Sequence, residues 1–324
     1  MSDSQDFALL GAAGYVAPRH LKAIADTGNE LVAACDPSDS VGILDRHFPH
    51  ARFFTEVERF DRHLEKRRID GKQLGYMSIC TPNYLHDAHV RLALRLGAHA
   101  ICEKPLVVSP WNLDQLAALE ERYDRRVYTI LQLRLLPQLQ RLRDAVRSSG
   151  ERHDVQLSYI TPRGPWYSAS WKGDVSRSGG LAVNIGIHLF DALLWIFGPL
   201  EWVQLTDPRF GAYTLEAIEA GIVDPEGEPE RSSQTIRGIM MLERATVNFT
   251  LSTDRCLLPK GWDEPALRRM KCDGQTVDFS SGFTDLHTRA YEDILAGHGF
   301  GIEDARGAIE LAYRVRELNG GTKT

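Results

Sequence analysis

The sequence predicts an α/β protein: an amino-terminal doubly wound parallel sheet over residues 1–130, then an α/β domain with a mostly antiparallel open sheet over 131–324. Three observations predict it. A chain of 324 residues is longer than one hydrophobic core usually serves. Before about residue 130, short apolar runs alternate with amphipathic stretches, as strands buried on both faces alternate with covering helices. After about residue 150 the runs alternate polar with apolar, as strands with one solvated face do.

In the first part the apolar runs are 7–10, 31–35, 76–80, 98–102 and 127–131, and the spacing predicts helices over 18–26, 88–96 and 112–123. Such a sheet takes its ligand at the carboxyl ends of its strands, so the residues that follow each run are the candidates. In the second part 154–160, 202–206, 234–242 and 245–251 read as strands. Residues 268–272 and 275–279 flank Asp273-Gly274, a type I′ hairpin signal. A helix is expected over 184–197, ended by Gly198 and Pro199, with Leu189, Leu193, Leu194 and Phe197 on its buried side. The acidic stretch 223–233 reads as an exposed loop, and helices near 287–296 and 302–318 close the chain.

Composition narrows the function. Lys plus Arg is 38 against 44 for Asp plus Glu, a formal charge of -6, which argues against nucleic-acid or membrane-surface binding. No apolar run reaches the roughly 20 residues of a membrane helix, and the first residues lack a basic segment before an apolar one. Cys35, Cys80, Cys102, Cys256 and Cys272 show no C-x-x-C pair and read as small buried hydrophobes of a reducing, cytoplasmic compartment. No metal site is expected: His86 and His89 lack a third ligand.

The first run leads into GAAGYVAPRH and then a helix. A glycine turn at a helix start presents N–H groups to a pyrophosphate, so Gly11, Ala13, Gly14, Tyr15 and Val16 are expected to touch a dinucleotide. The spacing departs from G-x-G-x-x-G, since Ala17 stands where the third glycine would be. The second run ends at Asp36, where a carboxylate accepts from ribose hydroxyls and repels a 2′-phosphate, favouring NAD over NADP. Asp36 before Pro37 also reads as a turn opener, and the two roles are compatible. Thr81, Pro82, Asn83 and His86 follow the next strand end, Glu103 and Lys104 the one after it, and Gln132 and Arg134 the last.

Taken in order, GAAGYVAPRH, CTPNYLH, CEKP and GGLAVNIGIHLFD resemble the Gfo/Idh/MocA oxidoreductases. Within that family GAAGYVAPRH, TPRGPWY, SWKGD and GFTDLH look most like the UDP-N-acetylglucosaminuronate 3-dehydrogenases of the WbpB/WlbA type, and the resemblance covers nearly the whole chain. It implies a Rossmann domain, bound NAD, a second domain with an open sheet, and homodimers or homotetramers built through that sheet. It also implies that Lys104 and His188 stand at the reacting carbon. Many members carry Asp four residues before that histidine; here Asn184 takes its place and would not repel a uronate.

Alcohol oxidation needs a base for the hydroxyl proton and a group to stabilise the alkoxide. His188 as base with Lys104 polarising the oxygen, or Lys104 as the base itself, both satisfy this. Substrate recognition is expected between 160 and 180, where Arg163, Lys172 and Arg177 stand among Trp166, Tyr167 and Trp171, suiting a carboxylate, a diphosphate and stacked rings. Asn184 and His188 would face the same substrate, whereas His287 and Tyr291 read equally as packing. The function expected is NAD-dependent oxidation of C3 of UDP-N-acetyl-glucosaminuronate in surface-polysaccharide (O-antigen, lipopolysaccharide) synthesis, with 2-oxoglutarate as a recycling partner. Another sugar or cyclitol, or a non-catalytic NAD-bound sensor, are the alternatives.

Overall fold

The computed structural model describes residues 4–206, 234–279 and 285–320. They fall into two compact units, Met1–Leu135 with Phe283–Ile309, and Leu136–Gly282 with Glu310–Thr324. The acidic stretch 223–233 and residues 282–284 of GFTDLH lie outside the described residues.

The first unit holds six parallel strands: β1 (Asp6–Leu10), β2 (Glu30–Cys35), β3 (Arg52–Phe54), β4 (Tyr76–Ile79), β5 (His99–Cys102) and β6 (Val127–Thr129). Their order is β3-β2-β1-β4-β5-β6, so the winding reverses between β1 and β4 and opens a crevice at the carboxyl ends there. Phe7 to Leu10 are at most 1% exposed, which is why β1 has no polar alternation. The helices between are α1 (Ala17–Asp26), α2 (Ile43–His47), α3 (Val57–Ile69), α4 (His86–Arg95) and α5 (Trp111–Tyr123). Helix α1 has Pro18 in its first turn and buries Ala17, His20, Leu21 and Ile24, spaced three to four apart. Among the elements that escaped the sequence reading are β3, α2 and α3. Strand β3 is a three-residue edge strand, too short for a periodic signal, and α3 buries only Phe60 and Leu64 among charged residues.

The second unit comprises α6 (Pro137–Ser149), β7 (His153–Ile160), α7 (Trp166–Ala169), α8 (Val175–Ser178), α9 (Ile187–Phe197), β8 (Leu200–Leu205), β9 (Thr235–Leu242), β10 (Ala245–Ser252), β11 (Leu267–Cys272) and β12 (Gln275–Asp278). The sheet order is β12-β11-β7-β10-β9-β8; β7 and β10 run parallel and every other pair antiparallel. Val155, Leu157, Val247, Phe249 and Leu251 form the buried face, while Asp154, Gln156 and Asn248 are exposed on the other. Helix α9 covers the buried face, with Phe190 edge-on to Phe249 at 5.9 Å, a pair worth about 1 kcal/mol beyond its buried area. Asp273 (φ 49°) and Gly274 (φ 79°) are both left-handed, as the predicted type I′ turn requires.

Two helices follow, α10 (Leu286–Leu295) and α11 (Ile302–Leu318). The sequence reading assigns 131–324 to the second domain, whereas contacts group part of that segment with the first unit. Helix α10 packs against α1, burying Leu286, Ala290, Tyr291 and Ile294, so residues 283–309 belong with the first unit. The expectation that no stretch is long and apolar enough for a membrane needs correcting. Val175–Phe197 passes on length and on a mean hydropathy of 1.7, and 78% of that window is buried inside the protein, as in a core helix. Among the cysteines, Cys256 is exposed, contrary to the sequence reading, because it sits in a turn capped by Asp254.

Candidate functional site

In the first unit the turn after β1 is held from below. Gly11 N–H and Ala12 N–H donate to the Cys35 carbonyl at 2.8 and 3.3 Å, and Gly14 N–H donates to Gly11 O at 3.0 Å. Gly11 has φ +88°, and a Cβ there would lie 2.6 Å from the Cys80 carbonyl carbon. One at Gly14 would meet Gly11 O at 3.0 Å and Cys80 O at 3.1 Å. This cradle, opening onto a ten-residue helix, has the form that receives a pyrophosphate. Asp36 accepts from Ala13 N–H through Oδ2 at 3.0 Å and from Ser38 N–H through Oδ1 at 2.8 Å, so it braces the turn and also opens the next one. The N–H of Ala13 is thereby spent on Asp36. Tyr15 is 83% exposed with the Arg19 guanidinium 5.6 Å from its ring centre, and Val16 is half-buried.

At the ends of β4 and β5, two of the expected cofactor residues, His86 and Glu103, also hold the surrounding chain. His86 is buried, with Nδ1 2.6 Å from Pro105 O and Nε2 2.8 Å from Thr81 O. Both ring nitrogens face backbone carbonyls, so His86 fixes two loops and presents no nitrogen to a dinucleotide. Burial lowers its pKa, against the two carbonyls, which favour the protonated ring. Glu103 is 5% exposed and turned away from solvent. Its Oε1 accepts from His20 Nε2 and His287 Nε2, each at 3.0 Å, and its Oε2 accepts from Lys104 N–H at 3.2 Å. Burial works against this carboxylate, yet the two histidines hold its pKa well below the usual range. The same three side chains have the spacing of metal ligands, as do His153, Cys272 and Asp273.

The Thr81 hydroxyl is hydrogen-bonded with His89 Nδ1 at 2.9 Å, Pro82 is half-buried and Asn83 is buried at the start of the turn into α4. Lys104 is half-buried and precedes a cis peptide bond to Pro105. Gln132 is buried in the turn after β6, and Arg134 pairs with Asp304 at 3.1 Å and lies over the Phe300 ring.

In the second unit α9 does not begin where the helix was expected. Residues Ala182–Gly186 form one π-type turn ahead of it, a wide turn frequent at functional sites. No periodicity in the sequence signals it. Asn184 on this turn is buried and donates from Nδ2 to the Tyr167 hydroxyl at 2.8 Å. His188 is half-buried in the first turn of α9. Lys172 lies between two indoles, its Nζ 5.4 Å from the Trp166 ring and 5.0 Å from the Trp171 ring. Burial, then the Arg163 charge, lowers its pKa. Trp166 and Arg163 are exposed and Tyr167 is half-buried, its hydroxyl pKa raised by burial.

The model of the oxidoreductase family with an NAD-binding Rossmann fold, GFO_IDH_MocA, matches residues 6–130, and its GFO/IDH/MocA C-terminal domain matches residues 139–252. The chain belongs to the Gfo/Idh/MocA family. This oxidoreductase is similar to the WlbA (WbpB) dehydrogenase of Thermus thermophilus in complex with NAD and α-ketoglutarate: 44% identity, 97% of this chain, 95% of that chain, TM-score 0.87. Against the same dehydrogenase in complex with NAD and UDP-GlcNAcA the values are 43%, 96%, 94% and 0.86. It is 26% identical over 124 residues to the D-glucoside 3-dehydrogenase of Escherichia coli, 38% of this chain and 35% of that one. The first curated relatives are spanned over less than half of their own length, 35% to 46%.

As a member of this family the chain binds NAD in the first unit. If Asp36 accepts from the ribose as the sequence predicts, replacing it with Ser weakens NAD roughly tenfold and narrows the preference over NADP. Equilibrium titration with each dinucleotide checks this; an unchanged ratio refutes it. The histidines near the crevice also make the fold acid-sensitive. His89 has its pKa lowered from 6.5 to about 4, by burial first and then by His86. The folded state therefore binds fewer protons than the unfolded one between these values, and stability falls as pH drops from 6.5 towards 4, by roughly 3 kcal/mol in all. Urea midpoints at pH 7 and pH 5 should show the loss, and His89→Gln should remove about 2 kcal/mol of it. Equal losses in both proteins would rule this out.

Proposed function

We propose that the chain is an NAD-dependent dehydrogenase that oxidises the C3 hydroxyl of UDP-N-acetyl-glucosaminuronate to the 3-keto sugar. The observation that carries this reading is 43% identity, over 96% of the chain, to a dehydrogenase in complex with NAD and UDP-GlcNAcA. Bound NAD supplies the hydride acceptor. Gly11 and Gly14 let the turn close against the Cys80–Thr81 backbone and so shape the cradle for the dinucleotide, and Asp36 holds its ribose hydroxyls. Lys104 polarises the reacting oxygen as an ammonium, and His188 takes the hydroxyl proton. Lys172, seated between Trp166 and Trp171, answers the substrate's negative charge, while Tyr167 and Asn184 orient the sugar.

The 3-keto product suits an aminotransferase of surface-polysaccharide synthesis, of the O-antigen or lipopolysaccharide kind. 2-Oxoglutarate, whose complex with the Thermus thermophilus dehydrogenase is known, would take back the hydride and regenerate the oxidised cofactor. A cytoplasmic location agrees with five free cysteines, four of them buried. Trp202, 39% exposed on the edge strand β8 of the second sheet, supports a homodimer or homotetramer built there. The test is absorbance at the reduced-nicotinamide band after mixing the protein with UDP-N-acetyl-glucosaminuronate, with and without NAD. A rise supports the reading. No rise from protein that binds NAD sinks this sugar assignment and moves the function to another sugar, a cyclitol or a sensor.

A further inference from the structure

The first unit contains a buried polar cluster that the proposed reaction does not use. Ser78 on β4, Tyr291 on α10, His20 on α1, Glu103 after β5 and His287 on α10 form one chain of hydrogen bonds. Every member is at most 5% exposed, and Ser78, His20 and Tyr291 are fully buried. Proton positions follow from the partners. The carboxylate only accepts, so His20 and His287 both donate from Nε2. With its proton on Nε2, His20 accepts at Nδ1 from the Tyr291 hydroxyl at 2.7 Å, and Tyr291 in turn accepts from Ser78 at 2.6 Å. Burial lowers the pKa of His20, in keeping with a neutral ring. Two ring N–H groups and the backbone N–H of Lys104 donate to the carboxylate.

A buried carboxylate is costly to keep, and an apolar residue at this position would fill the space at less expense. The cost is met by two histidines from different helices, so the charge is built in. It stands one residue before Lys104, at the carboxyl end of β5, where a doubly wound sheet receives its dinucleotide. A fixed negative charge in a poorly screened interior favours positive neighbours over neutral ones. Oxidised nicotinamide is positive and the reduced ring is neutral.

We propose that Glu103 is a positioning residue that biases the bound cofactor towards its oxidised form, its carboxylate ringed by His20, His287 and the Lys104 N–H. The inference rests on NAD binding and not on the identity of the sugar.

The test is the pair of dissociation constants for NAD+ and NADH, measured by titration on the full chain and on Glu103→Gln. Glutamine keeps the shape and removes the charge. The NAD+ constant should rise roughly tenfold while the NADH constant moves less than about twofold. A structural role alone weakens both alike, so equal changes, or no change in either, overturn the proposal. If Glu103→Gln does not fold by circular dichroism, nitrogen-15 NMR of the unaltered chain decides. A neutral Nε2–H ring at His20 at pH 7 supports the proposal, and a doubly protonated His20 or His287 cancels the carboxylate's charge and overturns it. An unaltered chain that binds neither dinucleotide overturns this and the cofactor assignment together. A shifted ratio without turnover of the sugar leaves this proposal standing and removes only the substrate.

Discussion

Methionine in place of Lys104 is expected to lower turnover of UDP-N-acetyl-glucosaminuronate by about 10³-fold, with NAD binding within about threefold of the unaltered protein. Methionine matches the unbranched stem of the lysine and lacks its charged, donating head group. His188→Asn should lower the rate by a similar order and should also abolish the fall in rate as pH drops and the base takes up a proton. Steady-state kinetics from pH 5 to 10 separate the two. If only Lys104→Met flattens that limb, the lysine is the base and the assignment to His188 is wrong. Full activity in either variant removes that residue from the chemistry.

Gly11→Ala should be the most damaging single methyl group in the first unit. Its backbone has φ +88°, which an L side chain rarely adopts, and the new Cβ would press on the Cys80 carbonyl carbon at 2.6 Å and on Thr81 N at 2.8 Å. These are backbone atoms of the neighbouring strand end, so no rotamer change relieves the contact. A loss of about 3 kcal/mol or more is expected, with NAD weakened at least tenfold because the turn and the loop at Thr81 are forced apart. Urea unfolding and dinucleotide titration read the two effects; a variant as stable as the unaltered chain would show that the turn is not the rigid cradle described above. Gly28→Ala is the control, since its φ is also positive, at +74°, but nothing lies within 4 Å of the added carbon.

Much of this was legible because local signals agreed with the fold. The apolar runs at β1, β2, β4, β5 and β6 sit within a residue or two of their observed bounds, since strands sealed on both faces admit few polar residues. The Asp273-Gly274 hairpin was legible from two residues alone. What escaped reading depends on partners distant in sequence. His86 looked like a crevice residue because it follows a strand end; only the fold brings the Pro105 carbonyl to its other nitrogen. Glu103 adjoins Lys104 in sequence, but its side chain turns inward towards His20 and His287, 83 residues before it and 184 after it. The π-type turn at Ala182–Gly186 leaves no periodic mark, and the glycines before it were the nearest hint.

The return of α10 to the first unit has a consequence for biosynthesis. The six strands of the parallel sheet are complete by Thr129, but α1 still lacks its neighbour, Tyr291 has not yet been made, and Glu103 has one histidine instead of two. Domains commonly fold in order as they emerge during synthesis. Here the nucleotide-binding half must wait, incompletely packed, until the chain of the other half has also been translated. A fragment cut at residue 135 should therefore be a poor surrogate for the domain, and the nascent protein carries a long interval in which chaperones have an unfinished core to guard.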